Sequence, residues 1–247
     1  MSEFNFPTEV VDLPSKGLVY PESHPLSSGQ VEMKYMTAKE EDILTNQAYI
    51  SKGVVFDKLL QSLIVDKTVK VDDLIVGDKN ALLIAARILG YGSEYKFSYL
   101  GEEHTVDLSV LENKEIDESL FTKGQNKFTY LLPASKITLT FKLMTGKDDR
   151  AVDAELEGYK KISKDGLPEL TTRFKQMILA VDGNEDKKTI RDFVDNAFLA
   201  RDSREFRKYI TTFQPDINTK VTITGLDGLE EEIDVPIGLS FFWPESW

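Results

Sequence analysis

The sequence predicts an α+β fold: a helical body carrying antiparallel β-hairpins, preceded by an extended N-terminal arm. Three observations carry this reading. Helical periodicity and strand alternation come in separate runs, not in the strict alternation of a parallel α/β sheet. The strand runs pair up around short glycine-containing turns. Pro7, Pro14, Pro21 and Pro25, with Gly17 and Gly29, exclude a helix or a central strand from residues 1–30.

The arm carries Phe4, Phe6, Val10, Val11, Leu13, Leu18, Val19 and Tyr20, too much apolar surface for a solvated tail, so it lies along a surface, its own or a partner's. Val31 to Tyr35 alternate as a half-buried strand. Thr37 and Glu40 then form a capping box that opens a helix over about 38–51, broken by Gly53. Val54, Val55, Leu59, Leu60, Leu63 and Ile64 give the stripe of a second helix. Gly77-Asp78-Lys79-Asn80 leads into ALLIAARIL, with Asp78 placed to cap the helix and Gly90 or Gly92 to end it. That helix is apolar nearly all round and belongs at the centre of the core.

Hairpins follow at Tyr95–Tyr99 with Thr105–Leu108, around Gly101, and at Phe128–Leu132 with Lys136–Leu143, around Pro133-Ala134-Ser135. From Gly146 to Gln214 the period is helical again, predicting three or four helices with stripes Leu170, Phe174, Met177, Ile178, Val181; Ile190, Phe193, Val194, Ala197, Phe198; and Phe206, Tyr209, Ile210. After Pro215, Val221-Thr222-Ile223 and Ile233-Asp234-Val235 form a last hairpin. The organisation reads as 1–30 arm, 31–92 helical, 93–145 hairpins, 146–215 helical and 216–247 hairpin with aromatic tail, either one composite domain or two interleaved ones. Residues 95–111 and 221–239 both run strand, glycine turn, glutamates, strand. They are either similar hairpins that lie side by side or a chance likeness.

With 247 residues, 42 Asp and Glu against 30 Lys and Arg, and a net charge of −12, the chain is poorly suited to neutralise phosphates or anionic lipid. No apolar run approaches the ~20 residues of a membrane span, and an acid at position three with nearby prolines is unlike an apolar export signal. The absence of cysteine removes disulfides, thiol nucleophiles and thiolate metal sites. His24 and His104 stand in no metal-ligand spacing and read as surface histidines. No Walker spacing and no Gly-x-Ser-x-Gly elbow occurs, and the acid clusters Glu40-Glu41-Asp42, Asp148-Asp149 and Glu230-Glu231-Glu232 read as solvated faces. No cofactor and no catalysis are expected.

Charge is unevenly placed in the last third. Arg201, Arg204, Arg207 and Lys208 share a helical face, whereas residues 221–247 carry Asp227, Glu230, Glu231, Glu232, Asp234 and Glu245 without a Lys or Arg. Either the two regions meet, within one chain or between subunits, or each is separately solvated. Phe241, Phe242, Trp243 and Trp247 concentrate large aromatics in seven residues, which plug the chain's own core or anchor a partner.

The segments LPSKGLVYPESHPLSSGQVEMKYMTAKEEDIL, KGVVFDKLLQSLI, LIVGDKNALLIAARILGYG, LARDSREFRKYI and FFWP, in that order, resemble the baseplate hub and hub-assembly proteins of T4-like contractile-tailed bacteriophages. The likeness runs from about residue 12 to 244. Relatives with this layout tend to carry cysteine pairs in the two hairpins as zinc-ribbon-like turns. Here Gly101-Glu102-Glu103 and Gly225 to Gly228 fill those turns, so the implied metal is dropped.

The resemblance implies a structural or assembly component acting by protein–protein binding. It would be made in the host cytoplasm, with the tail baseplate of the virion as a second location. Its partners would be other baseplate or tail proteins, self included, and neither nucleic acid nor a membrane. The expected binding residues are Phe4, Phe6, Leu18, Tyr20, Phe241, Phe242, Trp243 and Trp247. On that reading, deleting residues 241–247 blocks assembly and leaves the body folded. The alternatives are a transient tail-assembly chaperone absent from particles and a hydrolase whose site has no sequence signature.

Overall fold

The computed structural model describes residues 7–162, 166–225 and 229–242. Antiparallel hairpins and eight α-helices among these residues make an α+β protein, as the separate runs of period predict. Strand β1 (Thr8–Asp12) pairs with β2 (Gln30–Lys34), Thr8 opposite Lys34 and Asp12 opposite Gln30. The described part of the arm is therefore extended only over β1. Between the two strands the chain folds back through two turns and a 3-10 turn at Pro25–Ser28, burying Leu13, Val19, Tyr20 and Leu26 in its own core. The fold-back needs glycine at its crossing. Gly17 has φ +74°, and a Cβ there would lie 2.5 Å from the Ser27 carbonyl oxygen.

The helix expected over 38–51 is two helices, α1 (Ala38–Leu44) and α2 (Gln47–Ser51). Asn46 is the reason: its side-chain oxygen accepts from the Ala48 and Tyr49 amides and starts a new helix, while Thr45 ends the first. The expected stripe becomes α3 (Val55–Leu63), with Val55, Leu59, Leu60 and Leu63 buried. Central to the core is α4 (Val76–Tyr91), which buries Ala81, Leu82, Leu83, Ile84, Ala86 and Arg87 and ends at Gly92. Hairpin β3 (Glu94–Tyr99) and β4 (Glu102–Asp107) follows. Leu100 and Gly101 both have positive φ, the two left-handed residues of a tight hairpin turn.

Strands β5 (Phe128–Leu131) and β6 (Thr138–Phe141) form the second expected hairpin, but it is not alone. The helical stripe through Met177 and Val181 is half right. Helix α6 (Glu169–Met177) stops at Met177, and Ile178–Val181 becomes β7, antiparallel to β6. Four apolar residues look alike as buried helix or buried strand, and the free edge of β6 decides the matter. The remaining helices are α5 (Gly146–Ile162), α7 (Lys187–Asn196) and α8 (Ala200–Phe213). Four helices thus fill the stretch where three or four were expected. Helix α8 lies on the three-stranded sheet through Tyr209 stacked on Tyr130 at 4.5 Å, Phe206 against Phe141 at 5.2 Å and Phe213 against Phe128 at 4.6 Å.

Hairpin β8 (Lys220–Thr224) and β9 (Glu230–Asp234) is as expected, and it lies beside β3–β4. Tyr99 donates to Glu231 at 3.2 Å and Tyr95 to the Pro236 carbonyl at 3.3 Å, so the two similar hairpins are neighbours. One contiguous apolar core runs from Leu13 to Phe242 and draws on all five sequence segments.

The four buried carboxylates among the described residues, Glu40, Asp78, Asp148 and Asp202, each occupy the third position of a helix, near its positive end. Asp78 is not the cap the sequence suggests. Its carboxylate reaches across the chain to the Ser15 amide (2.9 Å), the Ser15 hydroxyl (2.7 Å) and the Tyr20 hydroxyl (2.6 Å), and fastens the arm to α4. Asp202 likewise accepts from the Ala134 and Ser135 amides, at 2.8 and 2.9 Å, and pins the β5–β6 turn to α8.

Burial alone would raise the Glu40 carboxyl, but hydrogen bonds from Lys34, Ser62 and Thr37 outweigh it and hold the group at about 2, against an ordinary 4.5. A depressed carboxyl pKa stabilises the fold above the unfolded value, and that contribution is lost as pH falls from about 4.5 towards 2. We expect roughly 2 kcal/mol from this group. Urea unfolding of wild type and Glu40→Gln at pH 6, 4 and 3 checks it: the gap between them narrows with acid, and a constant gap rules the assignment out.

Candidate interaction surfaces

Of the residues expected to bind partners, Phe4, Phe6, Trp243 and Trp247 lie outside the described residues. Leu18 is half-buried, its carbonyl accepting from the Gly124 amide at 2.7 Å. Tyr20 is not available to a partner. It is 4% exposed, and its hydroxyl donates to Asp78 while accepting from the Ile75 amide at 3.0 Å. Burial and the neighbouring Asp78 charge push the Tyr20 phenol well up.

Phe241 and Phe242, expected to bind a partner, are likewise not available to one. Both are fully buried, Phe241 edge-on to Tyr95 at 4.9 Å and Phe242 against Phe56 at 5.5 Å. The described part of the tail is a core plug, so deleting residues 241–247 is expected to unfold the body and not to spare it. The physical reason is the buried Arg87, hidden in the apolar run of α4. Its Nε donates to the Phe241 carbonyl at 2.9 Å, and its other nitrogens donate to the Gly92 and Glu94 carbonyls at 2.9 and 3.1 Å. The guanidinium lies over the Tyr91 and Tyr95 rings at 5.3 and 5.8 Å. Burial lowers its pKa, with the two tyrosines opposing. A cation therefore draws the tail into the core through carbonyl oxygens, with no carboxylate at ion-pair distance among the described residues.

Both histidines are more enclosed than surface residues. His24 stacks on Tyr20 at 5.6 Å, and His104 leans on Phe97 at 5.9 Å.

What the fold leaves outside differs from the expected set. Leu100, at the tip of β3–β4, is 85% exposed, and Leu229, at the base of β9, is 67% exposed. The contact of Tyr99 with Glu231 brings these two ends together. Strands β3, β4, β8 and β9 carry Glu94, Glu102, Glu103, Asp107, Glu230, Glu231, Glu232 and Asp234 against Lys96 and Lys220, so the leucines stand on an acidic mount. The sequence holds the signal, in the echo of Leu-Gly-Glu-Glu at 100–103 and Leu-Glu-Glu-Glu at 229–232.

No family model matches the chain, and neither a curated protein nor a solved structure matches it.

The opposite charge sits on α8, where Arg201, Arg204, Arg207 and Lys208 are exposed. They do not meet the acidic hairpins of their own chain: among the described residues no carboxylate lies at ion-pair distance from any of the four. A cleft of about 490 Å³ between β7 and α7 adds Lys127, Lys142, Lys175, Lys187 and Arg191, several of them paired, as Lys142 is with Asp148 at 2.6 Å and Lys175 with Asp195 at 2.7 Å. No helix among the described residues is long and apolar enough to cross a membrane. No group of three or more His, Asp or Glu side chains converges among them as a metal site would.

Proposed function

We propose that this chain is a structural or assembly component of a contractile-tail phage baseplate hub and acts by binding other proteins. The assignment to a baseplate rests on the ordered set of segments from LPSKG to FFWP. Binding as the mode of action is supported by one observation, the pair of hairpins that exposes Leu100 and Leu229 among carboxylates. Exposed apolar tips with charged surroundings suit an interface whose centre is dry and whose rim sets the choice of partner.

The test is a null allele in the phage that encodes the chain, read by electron microscopy of tails and by mass spectrometry of purified particles. Tails lacking finished baseplates, with the protein present in wild-type particles, support a structural subunit. The same defect with the protein absent from particles supports an assembly chaperone instead. Normal infectious particles from the null allele overturn both.

A further inference from the structure

The geometry points to a second copy of this chain as the ligand of the α8 face: we propose that the acidic hairpin pair of one copy docks head to tail on the basic α8 face of the next. The inference rests on charge and exposure alone and does not use the phage reading.

The two surfaces match in charge and in apolar content. On α8, Arg201, Arg204, Arg207 and Lys208 recur at spacings of three and four, within one broad exposed face. Leu199, immediately before the helix, is 50% exposed. On the hairpins, exposed Glu103, Glu230, Glu231 and Glu232 surround Leu100 and Leu229.

In a chain of net charge −12, α8 gathers four exposed cations on one face, and none of them has a carboxylate at ion-pair distance among the described residues, whereas Lys79, Lys142, Arg173 and Lys175 have carboxylates at 2.5 to 2.8 Å. Self-repulsion between two acidic molecules disfavours most approaches. Approaches that set the cationic strip of one copy on the acidic hairpins of another escape that repulsion; a two-fold pair, which buries both patches of both copies, would stop at the dimer, whereas a head-to-tail contact grows. In the head-to-tail contact the first and last copies keep one patch free, and the contact propagates into a ring or a filament. Nucleic acid is the other polyanion that such a helix face attracts, but the surrounding negative field opposes it.

Sedimentation velocity of the full chain, from 1 to 100 μM at 50 and 500 mM NaCl, provides the test. Association that grows with concentration and weakens with salt is expected. Arg204→Glu with Arg207→Glu should weaken it roughly tenfold or more, and so should Glu230→Lys with Glu232→Lys. All four sites are exposed, so unchanged circular dichroism melts certify the fold.

The deciding arm mixes the two double variants. Each has lost self-association, yet in the mixture both contacts are complementary again, reversed hairpins on reversed helix and native hairpins on native helix, so the two variants alternate and regain the association of wild type. A wild-type chain that stays monomeric throughout overturns the proposal. So does association untouched by either reversal, a mixture that does not pair, or an α8 face that binds oligonucleotide in preference to a second copy.

Discussion

Replacing Arg87 with methionine is expected to destabilise the protein by about 4 kcal/mol and to lower its Tm by roughly 10 °C. The guanidinium donates three hydrogen bonds to carbonyls, each worth about 1.5–3 kcal/mol from a charged donor. Methionine has the length but no donor, so the Phe241 carbonyl stays buried without a partner. Against this stands the relief of desolvating one charge, several kcal/mol, which is why the net loss falls below the sum of the bonds. Lysine should recover about half, because an ammonium keeps the charge but not the planar fork that reaches three carbonyls. Urea unfolding checks the magnitude, and hydrogen exchange at the Phe241 amide, which donates to the Gly238 carbonyl at 3.1 Å, checks the place. If Arg87→Met unfolds at the wild-type midpoint, the tail is held by its rings alone.

Gly77→Ala tests packing against propensity. Alanine in a helix is favoured over glycine by up to about 1 kcal/mol, so propensity predicts a gain. A Cβ at Gly77, however, would stand 1.9 Å from the Pro215 carbonyl oxygen and 2.8 Å from the Asp216 Cα, both backbone atoms. Either α4 or the strand-entry loop must move, breaking the Asn80–Asp216 contact at 3.1 Å and the Lys114 amide bond to the Asp216 carbonyl at 2.8 Å. A loss of about 3 kcal/mol is expected. Gly158→Ala in α5 is the control, since nothing lies within 4 Å of its Cβ position, and it should gain about 0.5–1 kcal/mol. The two substitutions should move the urea midpoint in opposite directions.

Local signals are legible in the sequence where neighbouring residues suffice. The capping box at Thr37 and Glu40, the stripe of α3, the glycine turn at Gly101 and the neighbouring hairpins all follow from spacing. What was not legible depends on residues far apart in the chain. Asp78 looks like a cap until Ser15 and Tyr20 arrive from 63 and 58 positions away. Val181 fits a helical stripe until the open edge of β6 takes it as a strand. ALLIAARIL reads as apolar nearly all round, and FFWP as either a core plug or a partner's anchor, because neither Arg87 nor Phe241 reveals the other across 154 residues. The candidate surface is hidden in the sequence for a related reason. Large aromatics such as Phe241 and Phe242 are what a core keeps for itself, and Leu100 and Leu229 are what it leaves outside.

The position of Phe241 and Phe242 between Tyr95 and Phe56 also fixes a timetable. During synthesis α3, α4 and β3 emerge long before residue 241, so the slot between them stays wet, and Arg87 stays hydrated, while about 140 further residues are made. Closing the slot then dehydrates the cation and seats two rings in one late event of very high sequence separation. Such contacts form slowly because the loop entropy must be met before they reward it. The interval is a window of exposure: a chain halted short of Gly238 presents an aromatic-lined trough to whatever surrounds it, whereas one that reaches Phe242 closes it from within.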